Sequence, residues 1–247
     1  MPIHKLVQYS TPDGTVFEGE LYTPRNPENE KLPAVLVLPA FRGITEFEKE
    51  KALILAKKHH YIAFAVDVYG KGIRPTERAE AFATMKPIVS SRTEVLKPRL
   101  LAALETVKNL PNVDVNRIGA IGFCFGGLCV LDLARHQTNI AAVVSFHGTL
   151  LPVPDLPLDS ITETSIQVHH GDADTHISKE QVDGFHEEMR QRNADFVFSS
   201  HAFAKHSFTE PEADSFNAPG VGYNKNAAER SWNSAIQLFK EKFIQHT

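Results

Sequence analysis

A cysteine flanked by glycines carries the strongest chemical signal in the sequence. Cys124 is the centre of Gly122-Phe123-Cys124-Phe125-Gly126, in which one residue separates the cysteine from each glycine. This spacing is typical of a sharp strand-to-helix turn that lifts a nucleophilic side chain above the edge of a sheet. The N-terminus of the following helix favours the thiolate over the thiol. The pentapeptide alone leaves open a second interpretation, a small buried cysteine in a glycine-rich turn.

A cysteine nucleophile needs a histidine as base and a carboxylate that orients the histidine. When the nucleophile lies on such a turn, the acid follows it along the chain and the histidine comes last. Asp172 and Asp174 both follow a predicted strand, Ser165–His169. The His-Gly-x-x-Asp spacing from His170 favours Asp174 as the acid. The alternative for either aspartate is a loop residue that caps the helix predicted to begin near Ser178.

The predicted base is His206, which follows the last predicted strand, Phe196–Ser199. His206 precedes an aromatic residue and an acidic loop, in the place where the chain order requires a histidine. His201 is closer to the end of the strand, and we interpret it as a structural residue.

Two backbone amides are expected to stabilise an oxyanion in this chemistry. One belongs to the residue after the nucleophile, Phe125. The other comes from the loop after an earlier buried strand, Ala34–Leu38, and Phe41 is the predicted donor in that loop, Pro39–Gly43.

Alternating strand and helix patterns predict the elements that must position these residues. Short apolar runs such as Tyr61–Val66 indicate strands buried on both faces, and helical spacing follows each of them. Two extended segments, Leu6–Tyr9 and Thr15–Tyr22, flank a turn and predict an antiparallel hairpin. Thr45 with Glu48, and Ser91 with Glu94, have the spacing of helix capping boxes. The alternation predicts an α/β fold with a mostly parallel central sheet and helices on both faces.

Composition places the chain among globular proteins and excludes several classes of partner. The 247 residues predict a single domain over 1–247, and a net charge of −4 gives no electrostatic basis for binding nucleic acid or an anionic membrane. No apolar run is long enough to span a membrane, and the N-terminus lacks a signal-peptide pattern. With two cysteines, a disulfide framework is not expected, and the cytoplasm is the predicted location. The predicted assembly is a monomer or a small homo-oligomer.

Taken together, these motifs resemble those of the dienelactone hydrolase family, a branch of the α/β-hydrolases with a cysteine nucleophile. The resemblance covers nearly the whole chain. It implies hydrolysis of small-molecule esters or lactones by a Cys-His-Asp triad, without a metal or an organic cofactor. The motifs that carry it are Val66–Gly70, Gly119–Gly127, Val144–Gly148, His170–Asp174 and His206–Phe208.

Ala40 is one departure from the family pattern. The family typically has a glutamate at this position, where the carboxylate helps to activate the thiol. An alanine cannot accept a proton, so activation of Cys124 is left to His206 and the helix N-terminus.

The positions aligned with the substrate-binding arginines of the family form a second departure. Lys71 and Glu210 occupy these positions. Lysine supplies charge without a bidentate fork, and glutamate repels a carboxylate. Arg42 and Arg74 are candidates to compensate, and together with Lys71 they are the predicted substrate-binding cations. Neutral esters or lactones are therefore the expected substrates, rather than dienelactone itself.

Three other functions were weighed against hydrolysis. An acyltransferase would use the same acyl-enzyme and exclude water. A non-catalytic α/β-hydrolase-fold binding protein would explain the loss of the glutamate. A metal hydrolase would need ligands from four histidines that lack the usual helical spacing: His147, His169, His170 and His176.

Overall fold

The computed structural model describes residues 2–25 and 30–244. The chain divides into two compact units, Met1–Ala120 and Ile121–Thr247. The assignment of residues 1–247 to a single domain therefore stays a prediction. Across the described ranges, none of the helices combines the length and apolar character needed to cross a bilayer.

The first unit contains a four-stranded arrangement in the order β1-β2-β4-β3. Its strands are β1 Ile3–Ser10, β2 Val16–Thr23, β3 Leu32–Leu38 and β4 Ile62–Ala65. β1 and β2 pair antiparallel, which confirms the predicted hairpin. β3 and β4 pair in parallel, and every residue of both strands is buried, as expected for strands covered on both faces.

The helices of the first unit follow the capping signals only in part. They are α1 Glu46–Lys58, α2 Arg78–Ser90 and α3 Lys97–Lys108, with a π-helical turn over Arg92–Leu96. The capping box of Thr45 and Glu48 is confirmed at the start of α1. The capping box predicted for Ser91 and Glu94 is wrong, because the Ser91 side chain makes no cap hydrogen bond.

A proline explains the late start of α3. Pro98 lies in the first turn of this helix, where the missing N–H has no partner to lose and the fixed φ suits the helix. The segment from Arg92 to Leu96 adopts the wider π-helical turn instead, so regular α-helix begins at Lys97 rather than at Ser91.

The second unit contains three consecutive parallel strands and the helices that connect them. β5, Val113–Phe123, begins in the first unit and ends in the second. The other elements are α4 Phe125–Arg135, β6 Ala142–Phe146, β7 Ser165–Gly171, α5 Lys179–Gln191, β8 Phe196–His201 and α6 Lys225–Lys242. β7 pairs in parallel with both β6 and β8, which brings the carboxyl ends of these strands to one edge.

Candidate active site

Cys124 lies at a strained turn between β5 and α4. Its backbone has φ 52° and ψ −109°, in a region that non-glycine residues rarely adopt. The Cys124 amide donates to the Phe146 carbonyl oxygen at 3.0 Å, and the Cys124 carbonyl accepts from the Gly127 amide at 3.0 Å. The turn is therefore fixed both to the end of β6 and to the first turn of α4.

Close backbone contacts explain the glycines around this cysteine. A Cβ atom at Gly122 would lie 2.0 Å from the Gly126 carbonyl oxygen, a distance that no real side chain tolerates. A Cβ atom at Gly127 would lie 2.7 Å from the Gly148 Cα atom. The glycine pattern thus permits the tight turn and lets α4 pack directly against the segment that follows β6.

The structure brings together the three side chains that the sequence predicts as a triad. His206 Nε2 lies 3.1 Å from Cys124 Sγ. On the other side of the ring, His206 Nδ1 lies 2.8 Å from Asp174 Oδ2. Asp174 and His206 are buried, whereas Cys124 is half-buried. A thiol, an imidazole and a carboxylate therefore form one continuous hydrogen-bonded chain.

Asp172 is not part of this hydrogen-bonded chain. It is exposed, and its carboxylate accepts a hydrogen bond from the Ser200 hydroxyl at 3.4 Å. Asp174, in contrast, uses its second oxygen, Oδ1, to accept the His176 amide at 2.8 Å. This second bond fixes the carboxylate in the orientation that faces His206.

The loop that carries His206 is held by backbone contacts on two sides. A Cβ atom at Gly171 would lie 2.5 Å from the Ala204 carbonyl oxygen, so only glycine allows this loop to approach the end of β7. The His206 amide donates to the Gly220 carbonyl at 2.9 Å, and the His206 carbonyl accepts from the Gly222 amide at 3.1 Å. These bonds fix the backbone of the histidine on both sides of its Cα atom.

The environment of His206 favours the protonated ring. Burial alone would lower the pKa of His206, but the negative charge of Cys124 and the hydrogen bonds that the ring donates to Asp174 and Cys124 outweigh it and raise the pKa to about 10. An imidazolium paired with a thiolate is the arrangement that these contacts stabilise.

Two further histidine rings contact His206, and sequence reasoning did not anticipate either contact. The exposed His176 ring stacks on His206 with centroids 4.8 Å apart and planes within 9°. The fully buried His147 ring meets His206 edge to face at 5.3 Å. His147 belongs to the Val144–Gly148 motif, so the sequence singles it out. No local pattern, however, predicts its contact with His206, which lies in a loop far along the chain.

Two other histidines, His169 and His201, belong to a separate hydrogen-bonded group. His201 Nε2 lies 3.1 Å from Nδ1 of the buried His169, and His169 Nε2 lies 3.2 Å from Gln167 Oε1. Burial, followed by the charge of His201, lowers the pKa of His169 to about 3. Within residues 2–25 and 30–244, no three His, Cys, Asp or Glu side chains are grouped so as to hold a metal ion.

Three other predicted site residues, Phe41, Lys71 and Arg74, lie in the first unit, whereas Phe125 is the first residue of α4 in the second. The Phe41 ring stacks on Phe82 with centroids 4.8 Å apart, and the Phe41 backbone carbonyl accepts a hydrogen bond from the Tyr69 hydroxyl. Lys71 Nζ lies 3.6 Å from a Glu18 carboxylate oxygen. Arg74 lies 3.4 Å from the buried Asp67 carboxylate. Lys71 and Arg74 thus already have anionic neighbours within this unit.

The loop after β3 contains two more of the residues singled out in the sequence, Ala40 and Arg42, and the second unit contains Glu210. The Ala40 amide donates to Glu48 Oε1 at 3.1 Å, so the buried Glu48 anchors the start of the loop after β3. Arg42 is half-buried in the same loop. Glu210, in the second unit, is buried, and its amide donates to the Ser207 carbonyl at 2.9 Å.

The chain is similar to known proteins over most of its length. The chain matches the Dienelactone hydrolase family over residues 17–243. An uncharacterized protein of Caenorhabditis elegans is 55% identical over 157 residues, which are 63% of this chain and 99% of that protein. A probable 2-oxo-3-(5-oxofuran-2-ylidene)propanoate lactonase of Bradyrhizobium is 30% identical over 233 residues and 90% of each chain.

Similarity to solved structures extends over almost the entire chain. A dienelactone hydrolase-like promiscuous phosphotriesterase from metagenomic libraries is 32% identical with a TM-score of 0.91, covering 98% of this chain and 99% of that one. The predicted α/β-hydrolase fold is therefore confirmed. The chain belongs to the dienelactone hydrolase family and is a carboxylic ester or lactone hydrolase.

Proposed function

We propose that this protein hydrolyses small esters or lactones through a thioester acyl-enzyme on Cys124, with His206 as base and Asp174 as the acid that orients it. The observation that carries the proposal is the hydrogen-bonded chain from Sγ through the imidazole to a buried carboxylate. Such a chain supplies both a nucleophile and a group that moves its proton. The raised pKa of His206 further supports a thiolate–imidazolium pair.

The proposed cycle has two halves. The Cys124 thiolate attacks the acyl carbon, and the tetrahedral intermediate expels the alkoxide, which takes the proton from His206. The products of this half are a thioester and an alcohol, or, from a lactone, a thioester that still carries the new hydroxyl. His206 then removes a proton from water, which attacks the thioester and releases the carboxylic acid and the thiolate.

Two backbone amides are proposed to stabilise the oxyanion in both halves. The Phe125 amide is the first N–H of α4, where the helix dipole also favours negative charge. The Phe41 amide, in the loop after β3, is the second proposed donor. Removing one donor of this kind costs on the order of 3 kcal/mol of transition-state stabilisation.

Neutral substrates are the proposed class. Lys71 and Arg74 already face carboxylates, and Glu210 adds a buried acidic residue to the second unit. An anionic substrate would have to compete with these ion pairs. Arg42 is the remaining proposed substrate-binding cation. No cofactor enters the proposed cycle, and the cytoplasmic location and the oligomeric state stay predictions.

A panel of small esters and lactones, neutral and anionic, tests the proposal. We expect the wild type to turn over neutral substrates best and Cys124→Ala to lose activity by about 10⁴-fold or more. Cys129→Ala is the matched control, since Cys129 is buried in α4 away from the predicted triad, and it should retain activity. A neutral phosphotriester belongs in the panel because one similar protein is described as a phosphotriesterase.

The panel also separates hydrolysis from its competitors. Transfer of the acyl group to an added alcohol with no free acid formed would indicate an acyltransferase. Equal activity of Cys124→Ala and wild type would rule out the proposed nucleophile, and a preference for anionic lactones would contradict the substrate assignment.

A further inference from the structure

His147 is a buried histidine that the proposed cycle does not use. It directly follows β6, has a left-handed backbone with φ 41°, and is fully buried. Both nitrogens of its ring have partners. Nδ1 lies 3.2 Å from the Cys124 amide nitrogen, whose N–H it shares with the Phe146 carbonyl oxygen at 3.0 Å, and Nε2 lies 2.7 Å from the Thr209 hydroxyl.

These two partners determine the tautomer of the ring. A backbone amide can only donate, so Nδ1 of His147 must present its lone pair to Cys124. In the neutral ring Nε2 then carries the proton and donates it to the Thr209 hydroxyl. Burial, followed by the charge of His206, lowers the pKa of His147 well below 6.5, so the ring stays neutral.

The same ring contacts the base. Its centroid lies 5.3 Å from that of His206 with an interplanar angle of 66°, an edge-to-face arrangement that restricts rotation of the second ring. Phe208 supports His147 from another side in a similar edge contact at 5.3 Å. One side chain therefore contacts both the backbone of the nucleophile and the ring that takes its proton.

We propose that His147 is a positioning residue that holds the Cys124 amide at the strained turn and supports the ring of His206. The proposal rests on the proposed function, because it assigns His147 a role in the thiol–imidazole pair. Protonation would place an N–H of His147 against the Cys124 N–H and add a second positive charge beside His206. A neutral side chain that offers a hydrogen-bond acceptor to the Cys124 amide is therefore required at this position.

Three substitutions separate the roles of the two nitrogens. In His147→Asn the amide oxygen can take the place of Nδ1 and accept from Cys124, and asparagine also tolerates the left-handed backbone. In His147→Gln the amide reaches toward Thr209 and leaves the Cys124 amide without this acceptor. Thr209→Val keeps the Nδ1 acceptor and the ring of His147, and removes only the hydroxyl that accepts from Nε2.

The first readout is the pH dependence of Cys124 alkylation by iodoacetamide, measured in a Cys129→Ala background. The second is kcat and KM for an ester that the wild type hydrolyses, and the third is Tm. We expect His147→Gln to lower kcat and the neutral-pH alkylation rate by about tenfold to a hundredfold, with KM within about twofold of wild type. His147→Asn keeps the acceptor but loses the ring contact with His206, so it should lower both rates clearly less than His147→Gln does. Thr209→Val should lower them by about threefold to tenfold.

Several outcomes would overturn the proposal. Wild-type alkylation rates in all three variants would show that the contact does not position the pair. Equal losses in His147→Asn and His147→Gln at unchanged Tm would show that the Nδ1 acceptor is irrelevant. If both His147 variants unfold, Thr209→Val decides, and wild-type rates in that variant contradict the proposal.

The alkylation readout keeps this proposal separate from the proposed function. A wild type whose Cys124 reacts rapidly at neutral pH while no ester is cleaved would contradict the proposed function alone. The comparison of the three variants by alkylation would still test the role of His147.

Discussion

Asp174 shows how one carboxylate can serve two purposes at the scale of a single residue. Oδ1 accepts the His176 amide and Oδ2 bonds His206 Nδ1, so the side chain is held at both oxygens. An aspartate held in this way fixes the tautomer of the histidine and stabilises its positive charge.

Asp174→Asn should therefore impair catalysis without removing any side-chain bulk. The amide can present an N–H to His206, which would then carry its proton on Nε2 and turn that proton toward Cys124. We expect kcat to fall by about 10²- to 10⁴-fold. Steady-state kinetics checks this, with Asp172→Asn as the matched control that should remain close to wild type. Similar losses in both variants would contradict the assignment of the acid.

The raised pKa of His206 predicts the pH dependence of activity. The ring keeps its proton up to about pH 10 and can protonate the leaving alkoxide below that pH. We expect kcat/KM for an ester to fall as pH rises through about 10, whereas alkylation of Cys124 should not decline, because it needs only the thiolate. A decline in both rates at the same pH would contradict this account.

The same shift affects folding stability in a defined direction. Because the pKa of His206 is higher in the folded chain than its ordinary 6.5, the contribution to stability is complete below about pH 6.5 and is lost as pH rises through about 10.

Local pattern and chain order select the three residues of the predicted triad. Cys124, Asp174 and His206 could be chosen because a glycine-flanked nucleophile implies a fixed order of partners, and the structure brings their side chains within hydrogen-bonding distance. The contacts of His147 and His176 with His206 could not, because they depend on how loops separated by long stretches of chain meet. No local sequence pattern specifies which of these loops come into contact.

At the scale of elements, the start of α1 unites helix capping with support of a loop. The Glu48 carboxylate accepts from the Thr45 amide at 2.8 Å, from the Thr45 hydroxyl at 2.6 Å and from the Ala40 amide at 3.1 Å. Burial raises the pKa of Glu48, and the hydrogen bonds from Thr45 and Ala40 oppose this effect only in part. The loop after β3 is thus anchored to the helix that follows it.

Thr45→Ala should lower the free energy of unfolding by about 1 kcal/mol, because the helix loses its N-cap and Glu48 loses one of its three donors. Urea denaturation measures this change. Thr45→Ser, which retains the hydroxyl, is the matched control and should lower the free energy of unfolding by only a few tenths of the loss expected for Thr45→Ala. Equal effects of the two substitutions would show that the methyl group, rather than the cap, stabilises α1.

Element boundaries illustrate a limit of local signals. The Ser91 and Glu94 pair has the same spacing as Thr45 and Glu48, yet it does not cap a helix. Pro98 lies shortly after Ser91 and Glu94 and sets the start of α3 near Lys97. A capping pattern therefore needs a compatible continuation, and here the proline dominates.

At the scale of the whole molecule, the second unit contains a buried network of charges. The Glu188 carboxylate bonds Arg135 Nη2 at 2.7 Å and Arg192 Nε at 2.9 Å, and both guanidinium groups are almost fully buried. Arg135 also donates to the Leu150 carbonyl and lies 3.3 Å from the buried Asp132 carboxylate, and Arg192 donates to the Pro157 carbonyl. This network joins α4 and α5 to the segment between β6 and β7.

Glu188→Ala should lower the free energy of unfolding by about 3–5 kcal/mol, because it leaves two buried cations without their shared anion. Chemical denaturation measures the loss, and Glu187→Ala, an exposed neighbour on the same helix, is the matched control. A loss in Glu188→Ala no larger than that of the control would show that the network contributes little.

Acid should weaken the same network. Burial would raise the pKa of Glu188, but the hydrogen bonds and charges of Arg135 and Arg192 outweigh it and lower the pKa. The stability that Glu188 contributes is therefore present above about pH 4.5 and is lost as pH falls through the lowered value. No sequence signal predicted this network, since its members are separated along the chain and join only through packing.

The long separation of the triad has a consequence for protein synthesis. His206 follows Cys124 by 82 positions, and its loop is held by contacts with β7 and with the segment before α6. Until Gly220 and Gly222 have been synthesised, the His206 loop lacks these backbone partners, and Cys124 has the N-terminus of α4 beside it but no imidazole to take its proton. The proposed thiolate–imidazolium pair can therefore form only after almost the whole chain has been translated.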